Sequence, residues 1–298
     1  MYQVVLLNAL LAATFVLVKT VLAFTKPIFF AGASMTIGGV VLLTYMLIKY
    51  PKQCVIAVKD MGLFLQVSFF SIMLSYGLQF WGMQYMPAFK SCFLYNFGPF
   101  ASYLIAYLFF AHKMRFKKWL GLVIGFCGMI PIILSTSPAE AAAFPLGNMF
   151  SLPELAVVAS VILYSYGWFI VKILVHERNY SPLLVNGVSM LIGGLALLAL
   201  VPVVEGPIIV EQFGPFAALL SSVILVELVV CNNLYAWLLE RYSETFLSFT
   251  TFTIPLFGAI YSCMFLHENI TWHFFLSSAI LSGAIWLFYA AEHEEKHI

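Results

Sequence analysis

The chain has 298 residues, of which 63% are hydrophobic and only 9% charged, with a formal net charge of +1. A soluble domain carries about 25% charged residues, so the solvated surface of one is missing here, and no basic excess points to nucleic acid. Cys54, Cys92, Cys127, Cys231 and Cys263 stand singly without a CxxC pair, which suggests neither a disulfide framework nor a zinc site.

In chain order, ten runs approach the roughly 20 apolar residues that a helix needs to cross a hydrocarbon core. They cover roughly 3–24, 27–49, 61–84, 88–111, 117–137, 152–175, 182–204, 213–239, 243–266 and 270–291. The first run lacks a basic flank and contains Lys19, so it reads as a retained helix rather than a cleaved signal. Breaks fall at turn or charge signals such as Lys26-Pro27, Tyr50-Pro51, Met86-Pro87, His112-Lys113 and Ser181-Pro182. With the N-terminus in the cytoplasm, the inner loops and tail hold Lys49, Lys52, Lys59, Lys113, Arg115, Lys117, Lys118, Arg178, Arg241 and Lys296. The opposite side then holds only Lys26. That bias places both termini in the cytoplasm.

The second half repeats the first. Gly32-Ala-Ser-Met-Thr-Ile-Gly-Gly-Val-Val-Leu-Leu43 aligns with Gly187-Val-Ser-Met-Leu-Ile-Gly-Gly-Leu-Ala-Leu-Leu198, and each follows a proline, Pro27 or Pro182, by the same distance. Lys19 and Lys172 take similar places near the ends of the first and sixth spans, and Pro99 answers Pro255. The offset stays close to 155, the mark of a duplicated five-helix unit. Five is odd, so the second copy enters the membrane upside down, as in carriers that rock about a central site.

At these residues the chain resembles the EamA branch of the drug/metabolite transporter superfamily. That family's repeat often closes on a proline-bearing helix followed by a Gly-Glu pair. Here Pro255 leads to His267-Glu268, so Glu268 matches the glutamate, while the first copy has His112 at the corresponding place. Many members carry an arginine seven residues after the proline of the second helix, where this chain has Ser34 and, in the repeat, Ser189. The resemblance implies an all-α membrane protein of ten transmembrane helices in two inverted five-helix repeats. Residues 1–137 and 152–298 would be the repeats, joined by a loop over 138–151. It implies a site between the repeats, with the fifth and tenth helices serving as scaffold or homodimer contacts. The aromatic-rich spans and the missing arginine incline the reading towards the family's S-adenosylmethionine carriers of intracellular bacteria.

Ionisable residues inside a span face a cavity or a partner, because lipid does not solvate them. Lys19, Lys90, Lys172 and Glu227 are such residues. The lysines lie towards span ends, where they either snorkel to the interface or bind. Glu227 lies far from either end of its span and is too short to snorkel, so it reads as hydrogen-bonded, or paired with a lysine or a cationic ligand. Asn8, Gln66, Gln79, Asn96, Asn186, Asn232 and Asn233 mark a wet centre or interhelical glue. Asn96 precedes Pro99, whose missing N–H frees the Tyr95 carbonyl. Phe89, Phe93, Phe97 and Phe100 follow i, i+4, i+8 and i+11, which predicts one aromatic face in the fourth span. Phe246, Phe249 and Phe252 offer another in the ninth. Facing stripes would cage a ring or an onium cation; the alternative is ordinary packing.

The expected function is secondary transport of a nucleoside- or amino-acid-like metabolite across an inner membrane, in the sharpest form S-adenosylmethionine for S-adenosylhomocysteine. The substrate contacts expected are Lys19, Lys90, Phe93, Asn96, Phe97, Glu227, Asn232 and Phe249. A proton-coupled amino-acid or drug exporter is the alternative, and an intramembrane lipid enzyme a third reading that lacks paired carboxylates. No motif asks for a cofactor or a resident metal. His293-Glu-Glu-Lys-His297 matches HExxH but has no chain beyond it to build a cleft, so it reads as a solvated tail.

Overall fold

The computed structural model describes residues 2–110, 116–134, 151–231, 234, 238 and 250–296. Its helices are α1 (Tyr2–Val21), α2 (Pro27–Lys49), α3 (Val58–Met83), α4 (Ala88–Tyr95), α5 (Gly98–Phe110), α6 (Phe116–Leu134), α7 (Leu152–Glu177) and α8 (Pro182–Val204). α9 (Phe213–Val223) is prolonged by a π segment, Ile224–Cys231, and α10 (Ile254–Leu266) and α11 (Trp272–Lys296) follow. Among the described residues there is no β-strand, only a single bridge between Thr25 and Val210. Helices α1, α2, α3, α7 and α8 are long and apolar enough to cross a membrane, and α9 and α10 are shorter apolar helices.

Polarity is inside out. Val41, Ile48, Leu195 and Val203 are exposed, whereas Asn8, Ser75, Gln79, Lys90, Asn96 and Glu154 are buried. Water would reverse that distribution; a bilayer solvates the apolar exterior and drives polar groups onto each other.

Helix ends follow local chemistry. Pro27 and Pro182 start α2 and α8, where a missing N–H costs nothing. The Glu205 carboxylate accepts from the Ile28 N–H at 2.7 Å and the Phe29 N–H at 3.0 Å, adding negative charge at the N-terminus of α2. Before α7, the Ser151 N–H donates to Glu154 Oε2 at 2.7 Å, the glutamate's half of a capping box.

The fourth span is corrected, since it is not one helix. Pro99 cannot donate to the Tyr95 carbonyl, and the chain tightens through Asn96 N–H to Phe93 O and Phe97 N–H to Leu94 O, both 3.1 Å. The break separates α4 from α5 and cuts the aromatic face expected to run through both.

The chain divides into two compact units that cut across its halves. The first takes Met1–Val16, Tyr85–Val158 and Val229–Ile298; the second takes Leu17–Gln84 and Ala159–Leu228. Aromatic rings fill the first. Phe89 and Phe93 meet Phe274 edge-on at 5.7 and 6.0 Å, and Phe97 meets Phe126 at 4.4 Å. The Phe100 ring lies against Gly125, where a Cβ would come within 3.0 Å of it.

In the second unit α2 and α8 meet backbone to backbone. A Cβ on Gly39 would lie 2.5 Å from Leu191 N, and one on Gly194 would lie 2.6 Å from Thr36 N. Gly32 faces Leu198 and Gly187 faces Leu43. The paired numbers 32 and 198, 36 and 194, 39 and 191, 43 and 187 each sum to 230, so the helices run antiparallel. An offset of 155 converts the first pair into the last and the second into the third. Such self-complementarity is the property of an interface on a two-fold axis. Met35 and its counterpart Met190 meet there in one cluster with Ile72.

Candidate functional site

The second unit holds the mid-span carboxylate. Glu227 lies half-buried in the π segment of α9, a widened turn of the kind found often at functional sites. The Tyr76 hydroxyl donates to Glu227 Oε1 across a long 3.4 Å. Tyr76 stands edge-on to Phe80 at 5.7 Å and to Tyr164 at 6.2 Å, and Phe80 stacks on Phe30 at 5.2 Å. Gln79, three residues after Tyr76, shares its helix face. Its Oε1 is buried without a hydrogen-bond partner. A carboxylate in an apolar span attracts a cation by its charge.

Lys19 is placed by the same unit. Its Nζ donates to the carbonyls of Met83 at 2.6 Å and Gln84 at 3.0 Å, where the C-terminal end of α3 presents unpaired oxygens and partial negative charge. Its repeat counterpart Lys172 is exposed.

The first unit holds a buried ion pair. Lys90 Nζ lies 2.5 Å from Glu154 Oε1, with 1% and 2% of the side chains exposed. The contact is one of charge, and Oε1 lacks an aligned hydrogen bond. Lys90 therefore does not snorkel. Its helix α4 is capped by Glu268, both of whose oxygens lie 3.0 Å from the Ala88 N–H. Glu154 was not singled out in the sequence, where nothing local shows that it meets a lysine 64 residues away.

Asn96 ends α4 at the break, 6% exposed, with Nδ2 lacking a hydrogen-bond partner. Broken helices in the bilayer expose backbone groups where a carrier binds its substrate. Asn8, by contrast, is glue: its Nδ2 donates to Thr250 O at 2.7 Å and Thr253 Oγ1 at 2.9 Å. Gln66 accepts from Tyr166. Ser34, at the family's arginine position, donates back to Ala31 O in its own helix.

Phe93 and Phe97, expected as ligand-facing rings of the fourth span, are packed against other rings. Both are buried, Phe93 edge-on to Phe274, and Phe97 edge-on to Phe126 and stacked on Phe100. Tyr261 stacks on Phe257 of its own helix. Asn232, Asn233, Phe246 and Phe249 lie outside the described residues, as do His112 and His297. Among the described residues, Tyr76 meets Glu227 and stands edge-on to Phe80 and Tyr164, three rings that were not singled out in the sequence.

Apolar spans that keep charges and amides on their inner faces define a membrane protein of the carrier class. The chain belongs to the EamA-like transporter family, whose sequence pattern matches residues 1–134 and 151–290. It is 28% identical over 274 residues to the S-adenosylmethionine/S-adenosylhomocysteine transporter of Chlamydia muridarum, covering 89% of this chain and 84% of that one. The protein of the same name in Chlamydia trachomatis serovar L2 is also 28% identical, over 89% of this chain and 81% of its own. An uncharacterised transporter of Bacillus subtilis is 25% identical over 254 residues, covering 85% and 79%. A solved crystal structure, 14% identical and covering 96% of this chain and 93% of its own, shares the fold with a TM-score of 0.62. Membership also gives His267 a meaning. It takes a left-handed conformation, φ 53°, at the end of α10, where the family's glycine meets no steric cost.

Proposed function

We propose that the protein is a secondary carrier exchanging S-adenosylmethionine for S-adenosylhomocysteine across an inner membrane, through ten spans in two inverted repeats, 1–137 and 152–298, with both termini cytoplasmic. The observation that carries the substrate reading is Glu227, a half-buried carboxylate in an apolar span whose one described side-chain contact is the long bond from Tyr76. It suits the ammonium common to both solutes, and the sulfonium of one. The names of the chlamydial relatives support the same choice. The antiparallel, self-complementary meeting of α2 and α8 supports inversion, since a duplicated unit in the same orientation would give parallel helices.

In this reading the first unit offers Lys90 for a carboxylate and Asn96 for the edge of a base, and within the second unit Lys19 holds the end of α3 in place. The rings of Tyr76, Phe80 and Tyr164 take the part expected of Phe93, Phe97 and Phe249. The test is uptake of labelled S-adenosylmethionine into bacteria expressing the protein. Competition by S-adenosylhomocysteine, and its drawing preloaded label out, are expected. Absence of uptake by membrane-inserted protein refutes the substrate. Uptake or efflux that collapses with the proton gradient replaces exchange with proton coupling through Glu227.

A further inference from the structure

We propose that Lys90 and Glu154 form a carboxylate-exchange site, in which Glu154 holds, in the empty carrier, the place that the solute's own carboxylate takes in the loaded one. This rests on the exchanger reading above. An ammonium buried to 1% in an apolar unit needs an anion throughout the transport cycle. Glu154 keeps other support when it gives up that contact. Its Oε2 stays bonded to the Ser151 N–H, and its carboxylate sits in the first turn of α7, where the helix dipole favours negative charge. The α4 end is similarly supplied by Glu268 on the Ala88 N–H, so a change of anion at Lys90 does not uncap its helix.

The consequence is a coupling rule. While empty, the protein ties α4 to α7 through the ion pair. A carboxylate-bearing solute replaces Glu154 on Lys90 and unties them. Each leg of the cycle then requires a solute with a carboxylate, which makes the protein an exchanger of amino-acid-bearing molecules. The adenine ring or the sulfonium alone would not suffice to move it.

Glu154→Gln is the test, because glutamine at this position preserves the capping box and removes only the charge. Wild-type proteoliposomes loaded with labelled S-adenosylmethionine should release it at least ~10-fold faster into S-adenosylhomocysteine than into buffer, and Glu154→Gln should reduce that ratio to ~3-fold or less. A variant that keeps the wild-type ratio, or reaches the membrane and releases nothing, overturns the proposal. If the wild type exchanges nothing, the substrate reading fails and a solute-free measurement decides about the pair. That measurement is maleimide modification of Cys92, two residues beyond Lys90 and packed on Gly258, in purified protein whose other four cysteines are alanine. Untying α4 should raise the Cys92 rate ~10-fold in Glu154→Gln. Equal rates overturn the proposal. Should Glu154→Gln not accumulate, Glu154→Asp, with its shorter reach, carries the same two readouts and the same criteria.

Discussion

The two units of the chain treat a charge in opposite ways. In the first, Lys90 and Glu154 neutralise each other out of contact with solvent, inside a packing of phenylalanine rings. In the second, Glu227 is half-buried and meets a phenol at 3.4 Å, among rings that leave it partly open. The backbone differs as well. Rings fill the first unit, whereas glycines let two helices of the second touch. A charge paired in the interior is costly to expose and becomes part of the stability of the fold until a competing ion arrives. A charge left half-open has its attraction to spare for a ligand. On the reading proposed above, the first charge supports stability while it is paired, and the second has its attraction available for recognition throughout.

The sharpest way to break that contrast is to remove one partner of the pair. Lys90→Met strands Glu154 in the interior, and removing one member of a buried pair costs about 3–5 kcal/mol. The Ser151 N–H and the α7 terminus soften the loss, so about 3 kcal/mol is expected. The double variant Lys90→Met with Glu154→Gln leaves no stranded charge and should recover more than half of it. Thermal unfolding of the detergent-purified proteins measures both. Equal destabilisation in the single and double variants would show that the pair contributes little and that Lys90 matters by shape alone.

Glu227→Gln should do the reverse. A long hydrogen bond to a half-exposed group contributes about 1 kcal/mol or less, so the unfolding temperature should hardly move. Exchange should nevertheless fall ~10- to 100-fold at low substrate, the loss expected for a charged contact of about 1.5–3 kcal/mol. A variant as destabilised as Lys90→Met would place Glu227 among structural charges. One that transports normally would remove it from the site.

How much of this was visible in the sequence depends on whether the governing contact was local. Pro27 and Pro182 begin α2 and α8 because a helix N-terminus accepts proline whatever surrounds it. Pro99 announced the freed carbonyl that precedes α5. Yet the stripe from Phe89 to Phe100 assumed a helix that this same proline interrupts, and periodicity holds only within an unbroken helix. Lys90 and Glu227 were recognisable because lipid makes any charge conspicuous. Their partners were not: Glu154 is 64 residues from Lys90 in the chain, Tyr76 is 151 residues from Glu227, and pairing at that range is tertiary. Lys19 was ambiguous for the same reason, since only the fold shows which helix end it meets.

The glycine interface gives a smaller effect with a distinctive form. Gly39→Ala and Gly194→Ala each drive a methyl into backbone of the facing helix, Leu191 N at 2.5 Å and Thr36 N at 2.6 Å, which no rotamer change relieves. Each should cost about 1–3 kcal/mol, the range for overpacking. Gly62→Ala in α3 is the control, because its added Cβ meets nothing within 4 Å and alanine favours the helix. The two interface sites are related by the 155-residue offset and push the same two helices apart along the same line. Once one methyl has separated the backbones, the second finds part of its space already made, so the double variant should cost clearly less than the sum. Full additivity in thermal unfolding would mean that α2 and α8 yield locally at each glycine, and the self-complementary contact would then lose its standing as one rigid, symmetric interface.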